Sequence, residues 1–455
     1  MLLSMVTLLW MAGLGLIFAI FLPVWWLMLY DLSMVTYFGN WSIGFLRIGP
    51  NDLFVGLMVG GMVLRARRSE EWRLGKFPFL WLWGILLLML CGSYLTAPVN
   101  QRNLTDPIRV VYQLSRYCAR PVAYFVLASI LLRSANRTYT AIYFIIGGAV
   151  QCSLMAIEQG YAGMAAAPGP FRTGNQLGGV LVIPMLMAMA GTIFPRNRFH
   201  WGFSFISLGL MARALLFCQS RGAMVACVGG GLVFGALLIT RNIGRQRLKW
   251  MSPFIAMGLV AALPLLPLIL ANRFISHAVS AADGSKASTM QWRMQERWPH
   301  FWAIAVANPV FGIGTAVDLS LGPKANTPHN GFLSMLVMWG FPAFGILMFF
   351  AFRTIWNGCL LFWYAPNPDH KIHGLGVAAG VSGILTHQLV EVTLNAPFTF
   401  KVFWILVATT ELAKRWPDDD TLGEPAIFKS HAELHRIEPH DPEFVAVRLT
   451  PRSSR

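Results

Sequence analysis

Residues 77–95 read FPFLWLWGILLLMLCGSYL, with no charged side chain in the run. A helix needs about 20 such residues to cross the hydrocarbon core of a bilayer. The pattern recurs at 177–194 (LGGVLVIPMLMAMAGTIF), 222–240 (GAMVACVGGGLVFGALLIT) and 253–271 (PFIAMGLVAALPLLPLILA). Over its 455 residues the chain is 56% hydrophobic and 12% charged, whereas a soluble domain carries about 25% charged residues. A soluble fold of this length has nowhere to put so much apolar surface, so the bilayer is the main solvent. The expected fold class is all-α, a polytopic integral membrane protein.

Reading the apolar runs outward from residues 77–95 gives about twelve spans, near 5–29, 48–64, 77–96, 118–133, 139–158, 177–195, 199–217, 222–240, 253–271, 331–350, 374–394 and 397–413. The first run exceeds a signal-peptide core and no small-residue cleavage site follows it, so it reads as a retained span. The second is short and rich in glycine. Residues 350–364 either extend the tenth span or form an interfacial segment. Spans one to nine occupy 1–271, a long outer loop 272–328, spans ten to twelve 329–413, and a polar tail 414–455.

The formal charge is +16, and its placement sets orientation. With the N-terminus in the cytoplasm, Arg65, Arg67, Arg68, Arg73 and Lys76 face inward, as do Arg133 and Arg137, Arg196 and Arg198, and Arg241, Arg245, Arg247 and Lys249. Every second loop is then basic, as the positive-inside rule requires. Basic charge spent on topology gives no reason to expect nucleic acid as a partner. The six cysteines show no CxxC spacing and no cluster with histidine, so neither a disulfide framework nor a zinc site is indicated. His370 and His373 have no carboxylate or cysteine beside them, a weak metal signal that is set aside.

The long connection 272–328 falls on the outer side and needs a reason to exist. Its middle, 288–307, reads as an amphipathic helix. Arg293, Arg297 and His300 share one face, with Met294, Trp298, Phe301 and Trp302 on the other. Six cations, Arg116, Arg120, Arg172, Arg221, Arg293 and Arg297, sit at outer ends of spans where the positive-inside rule does not explain them. Either they pair with ordinary headgroups, or they meet a bound anion such as a diphosphate, which suits the planar guanidinium fork. Arg221 interrupts an apolar stretch and is the hardest to dismiss as an anchor. His329 precedes the tenth span in Thr327-Pro328-His329-Asn330-Gly331. It is a general base for a sugar hydroxyl, or an exposed loop histidine with Asn330 capping the helix. His387 and Glu391 are expected on one face of span eleven near its outer end, orienting a base, binding an acceptor, or simply bonded between helices. Glu158, at the outer end of span five, has the same ambiguity.

The order of these features resembles the O-antigen ligase/polymerase superfamily. Ser220-Arg221-Gly222-Ala223 opens a span, and a long outer loop carries Arg293 upstream of Asn308-Pro309-Val310-Phe311-Gly312-Ile313-Gly314. His329-Asn330-Gly331-Phe332-Leu333 follows, then Gly340 and Gly345. Arg172-Thr173-Gly174-Asn175-Gln176-Leu177 is similar to the family's upstream outer-loop motif. The resemblance implies a GT-C-like membrane glycosyltransferase of the bacterial inner membrane, with its site facing the periplasm and both termini in the cytoplasm. It implies an undecaprenyl-diphosphate-linked glycan as donor, inversion at the anomeric carbon, and no metal ion or other cofactor. Carried over by position, Arg221 and Arg293 hold the donor diphosphate and His329 activates the acceptor. Arg297 is an alternative to Arg293, and Arg116, Arg120, Arg172, Asn330, His387 and Glu391 are further substrate contacts. Before Gly340, where the resemblance leads one to expect an acid, this chain has Trp339.

Two acceptors fit the family. A ligase attaches the finished glycan to lipid A-core in lipopolysaccharide synthesis, whereas a polymerase joins repeat units into a growing glycan. The histidine-loop arrangement leans toward the ligase. From a different class, a lipid-glycan transporter or flippase predicts charges at the bilayer midplane, interrupted helices and paired repeats. Here the polar residues gather instead at outer ends of spans.

Overall fold

The computed structural model describes residues 28–29, 31, 41–43, 46–48, 55–61, 79–96, 120–132, 134–164, 166–171, 173–240, 293–314, 328–365, 368–392, 394 and 397–413. Spans 253–271 and nearly all of 5–29, most of the outer loop, the tail, Arg116 and Arg172 lie outside the described residues.

The helices are α1 (Leu80–Thr96), α2 (Arg120–Leu131), α3 (Ala135–Tyr161), α4 (Gly174–Ile193), α5 (Arg198–Cys218) and α6 (Arg221–Thr240). After a π-helical turn at Arg293–Arg297 come α7 (Trp298–Ala307), α8 (Gly331–Tyr364), α9 (Pro368–Gln388) and α10 (Pro397–Ala413). Among the described residues five helices, α3 to α6 and α8, are long and apolar enough to cross a membrane. The twelve-span count is therefore not reached there.

Several boundaries differ from the sequence reading, each for a local reason. In the second expected span, 48–64, Ile48 belongs to the strand Leu46–Ile48, which pairs antiparallel with Trp41–Ile43, and 55–61 is helical; its other residues lie outside the described residues. Of the two readings of 350–364, the extension of the tenth span is the one observed: α8 runs on to Tyr364. The eleventh, expected at 374–394, is shifted toward the N-terminus. It starts at Pro368, a residue suited to the first helical turn, and ends at Gln388, short of Leu389, Val390, Val392 and Leu394, the apolar residues on which the longer expectation rests.

α9 is the centre of the bundle and packs against α4, α6 and α8. Residues 372–381 are all buried. Apolar side chains gain little by leaving lipid, so close approach has to supply the attraction, and small residues permit it. A Cβ added to Gly358 of α8 would lie 2.8 Å from the Gly374 carbonyl oxygen of α9, and one added to Gly374 would lie 2.6 Å from that of Gly358. Ion pairs hold the end of the bundle remote from His329: Arg196 to Asp369 at 2.9 Å, and Arg353 to Glu411, which also accepts from Asn357 at 2.7 Å.

α8 is broken at Gly340, whose φ of 78° and ψ of 174° suit glycine alone. The main-chain groups around the break are taken up by the segment Asn308 to Gly314. Ile313 N donates to Val337 O at 2.8 Å, Gly314 N to Met338 O at 3.2 Å, and Phe341 N to Pro309 O at 2.8 Å. Ser93 of α1 also donates to Met338 O. Phe311 lies so close to Gly92 that a Cβ there would sit 2.5 Å from its ring. The motif 308–314 thus stitches a broken helix, as non-helical backbone at membrane depth demands.

Candidate functional site

Three helix N-termini, those of α4, α6 and α8, meet the C-terminus of α9 at one end of the bundle. Each N-terminus is capped by a side-chain oxygen. Thr173 Oγ1 accepts from Gln176 N at 3.3 Å, Ser220 Oγ from Ala223 N at 3.3 Å, and Asn330 Oδ1 from Leu333 N at 3.0 Å. The close approaches explain the glycines of the motifs. A Cβ on Gly174 would meet Cys218 O at 2.2 Å, one on Gly222 would lie 2.8 Å from Val390 and 3.2 Å from His387 Nε2, and one on Gly331 would overlap Gln388. Uncompensated N-terminal amides favour an anion in front of them.

Two non-glycine residues immediately upstream of these starts hold left-handed backbone: Gln219 (φ 52°) before Ser220-Arg221, and His329 (φ 49°) before Asn330-Gly331. Such conformations cost free energy and persist where the surroundings fix them, commonly at functional positions.

Glu391 is the hub. Its Oε1 accepts from Asn175 Nδ2 at 2.8 Å and lies 3.8 Å from Arg293 Nη2. Its Oε2 lies 3.5 Å from His329 Nδ1. Arg293 Nη1 donates to Val390 O at 3.0 Å, so the guanidinium grips the chain just past the end of α9. Glu391 is 17% and Arg293 16% exposed, and His329 36%, so the group is sheltered but open on the histidine side. A proton on Nδ1, directed at the carboxylate, would leave the acceptor lone pair of His329 on Nε2.

Arg293, His329 and Glu391, singled out on separate sequence grounds, are therefore brought into one contact group. Glu391 is not on a helical face with His387 as expected. It lies in the turn beyond α9, and its own N–H donates to His387 O at 3.0 Å. His387 is buried in the last turn of α9 against Gly222. Asn330 serves as the cap of α8. Arg221 is exposed at the first position of α6.

The amphipathic helix is corrected in register. The π turn at Arg293–Arg297 holds more residues per turn than an α-helix, so Arg297 points inward with Phe301 and Ala305, while Met294, His300 and Trp302 are exposed. Burial and the neighbouring Arg293 charge lower the Arg297 pKa from its usual value. Trp298 Nε1 donates to Pro328 O at 3.1 Å and ties this segment to the histidine loop.

Arg120 is placed elsewhere. It is buried at the start of α2, and its charge faces Asp31 and Lys401. The Lys401 ammonium donates to Asp31 O at 2.7 Å and pairs with its carboxylate at 3.2 Å. Sequence reasoning passed over that pair, although a lysine inside the apolar run 397–413 is itself a signal. It quoted Asn175 only as part of a motif, since an asparagine in a loop carries no distinctive mark.

Residues 206–348 match the family model described as O-antigen ligase. The matched stretch holds Arg221, Arg293, His329 and the stitched break in α8. No curated protein is matched by this chain.

Proposed function

We propose, from the match of residues 206–348 to the O-antigen ligase family model, that the chain is a glycosyltransferase working at the periplasmic face of a bacterial inner membrane. The donor is a glycan on undecaprenyl diphosphate, and the acceptor is a hydroxyl of lipid A-core. The observation that carries this reading is the convergence of Asn175, Arg293 and His329 on Glu391, in front of three helix N-termini. Arg137, Arg196 and Arg198, at the opposite end of the bundle, support the orientation.

The chemistry needs few parts. The acceptor oxygen attacks the anomeric carbon from the face opposite the diphosphate, and a new C–O bond forms as the anomeric C–O bond to phosphate breaks. The electron pair leaves with the diphosphate. Arg221 and Arg293, aided by Arg297 and the helix N-termini, stabilise that growing charge. His329 Nε2 takes the hydroxyl proton, and Glu391 fixes the ring tautomer and balances the imidazolium that results. One displacement inverts the anomeric centre. The segment 293–307 forms a wall that holds both glycans in register.

A transporter also predicts an interrupted helix, which α8 provides. Here, however, segment 308–314 and Ser93 occupy main-chain groups at the break, so those groups are not offered to a substrate. The deciding experiment is the surface glycolipid profile of cells lacking the gene, complemented with wild type or with His329→Ala. Restoration of long chains on lipid A-core by wild type alone, with glycan left on its carrier in the variant, is the expected result. Single repeat units in the deletion strain would instead identify a polymerase, and full activity of His329→Ala would remove the base.

A further inference from the structure

Arg213 stands apart from the groups described so far. It lies in the last third of α5, where about 1.5 Å of rise per residue puts its Cα some 7 Å below the helix end at Cys218. That end is the one bearing the candidate site, since Cys218 O abuts Gly174. Along the same stripe of α5, Gly202 and Gly209 face open space and Ile206 is exposed, so this side looks out of the bundle toward lipid. The guanidinium is nevertheless held in place. Its Nη2 donates to Tyr161 Oη at 3.0 Å, and its carbon lies 4.8 Å from the Phe217 ring centroid and 5.5 Å from that of Tyr161. The two rings meet edge to face at 5.3 Å, and Gly160 leaves room for Phe217, because a Cβ there would overlap it at 2.3 Å. Among the described residues no carboxylate pairs with Arg213; the nearest acid along α3, Glu158, is exposed and makes no ion pair with it.

We propose that Arg213 and Tyr161 form a site for the phosphate of a membrane lipid in the leaflet on the His329 side. Contact with the Phe217 ring and the hydrogen bond to Tyr161 hold the guanidinium in place and leave most of its N–H groups uncommitted, the arrangement that suits a forked grip on phosphate oxygens. The Tyr161 oxygen accepts from Arg213, which frees its own O–H to donate to the same anion. Tyr161 closes α3, and so sets the pair at headgroup level rather than in the hydrocarbon. Phe217 O accepts from Ala167 N at 3.1 Å, so lipid held here braces the loop that leads into Asn175. The site does not depend on the transferase reading and is tested without it.

The purified full chain in detergent micelles, titrated with phosphatidylglycerol and weighed intact by native mass spectrometry, gives the number of bound lipids and their affinity. Wild type is expected to hold one lipid more tightly than Arg213→Gln by about tenfold, with Arg213→Lys and Tyr161→Phe in between. Unfolding temperatures of all four proteins show whether each variant is folded. Equal affinity in wild type and folded Arg213→Gln overturns the site, and a lysine variant as good as wild type overturns the forked grip. Adding a diphosphorylated glucosamine lipid distinguishes the source. Displacement of the tight phosphatidylglycerol assigns the site to a phosphorylated glycolipid, and persistence assigns it to a phospholipid headgroup; both uphold a phosphate site.

Discussion

A single carboxylate, Glu391, faces Arg293 and His329 and is steadied by Asn175. Replacing it tests the two halves of the site together. Glu391→Gln keeps the shape but removes the charge, and its transfer rate with purified donor and acceptor is expected to fall about 10²-fold, within the range that positioned acid–base groups supply. Arg293→Ala should lower kcat/KM by about 10²- to 10³-fold, with Arg293→Lys recovering only part because a point charge replaces the fork. Full activity in either Glu391→Gln or Arg293→Ala would remove that residue from the mechanism. Both residues were conspicuous in the sequence, a cation and an acid near membrane boundaries with no topological duty. Asn175 was not, because its meaning comes only from the carboxylate that the fold places 2.8 Å away.

At the scale of elements, legibility followed the sharpness of the boundaries. Spans expected at 199–217 and 222–240 are α5 and α6, Arg198–Cys218 and Arg221–Thr240. The Asn197 cap and the polar break Gln219-Ser220 interrupt the hydrophobic pattern abruptly there. α9 was shifted by six residues at each end, because its first turns carry His370, Lys371 and His373 while the apolar residues after Gln388 imitate a span. The π turn left no trace in composition, since it changes hydrogen-bond register and not residue type. The break in α8 was half visible. Gly340 stood out, but the partner that makes it tolerable, 308–314, lies at a distance in the chain. Gly340→Ala should therefore be costly, through the glycine-only backbone and a Cβ 2.3 Å from Val310 O. The expectation is a loss of at least about 1–3 kcal/mol, read as a lower unfolding temperature in detergent. Gly345→Ala, where nothing lies within 4 Å of the added carbon, serves as the control and should unfold near wild type.

Across the whole molecule, charge is divided between two regions at the end where the candidate site stands. One is the sheltered group around Glu391, which Arg293 and His329 face. The other is the pair Asp31–Lys401, 0% and 1% exposed, joining the segment at the end of the first apolar run to α10. Two buried charges attract strongly only while both are present. Lys401→Met leaves the Asp31 carboxylate without that partner and is expected to cost about 3–5 kcal/mol, whereas removing both charges together is often close to neutral. Asp31→Asn combined with Lys401→Met should thus unfold at a higher temperature than Lys401→Met alone. If the pair only joins the first segment to the bundle, the double variant also regains glycan transfer along with stability. Stability without transfer would instead show that the Lys401 charge, beside Arg120, acts on the anionic donor, and would move the boundary of the functional site across the bundle to α2 and α10.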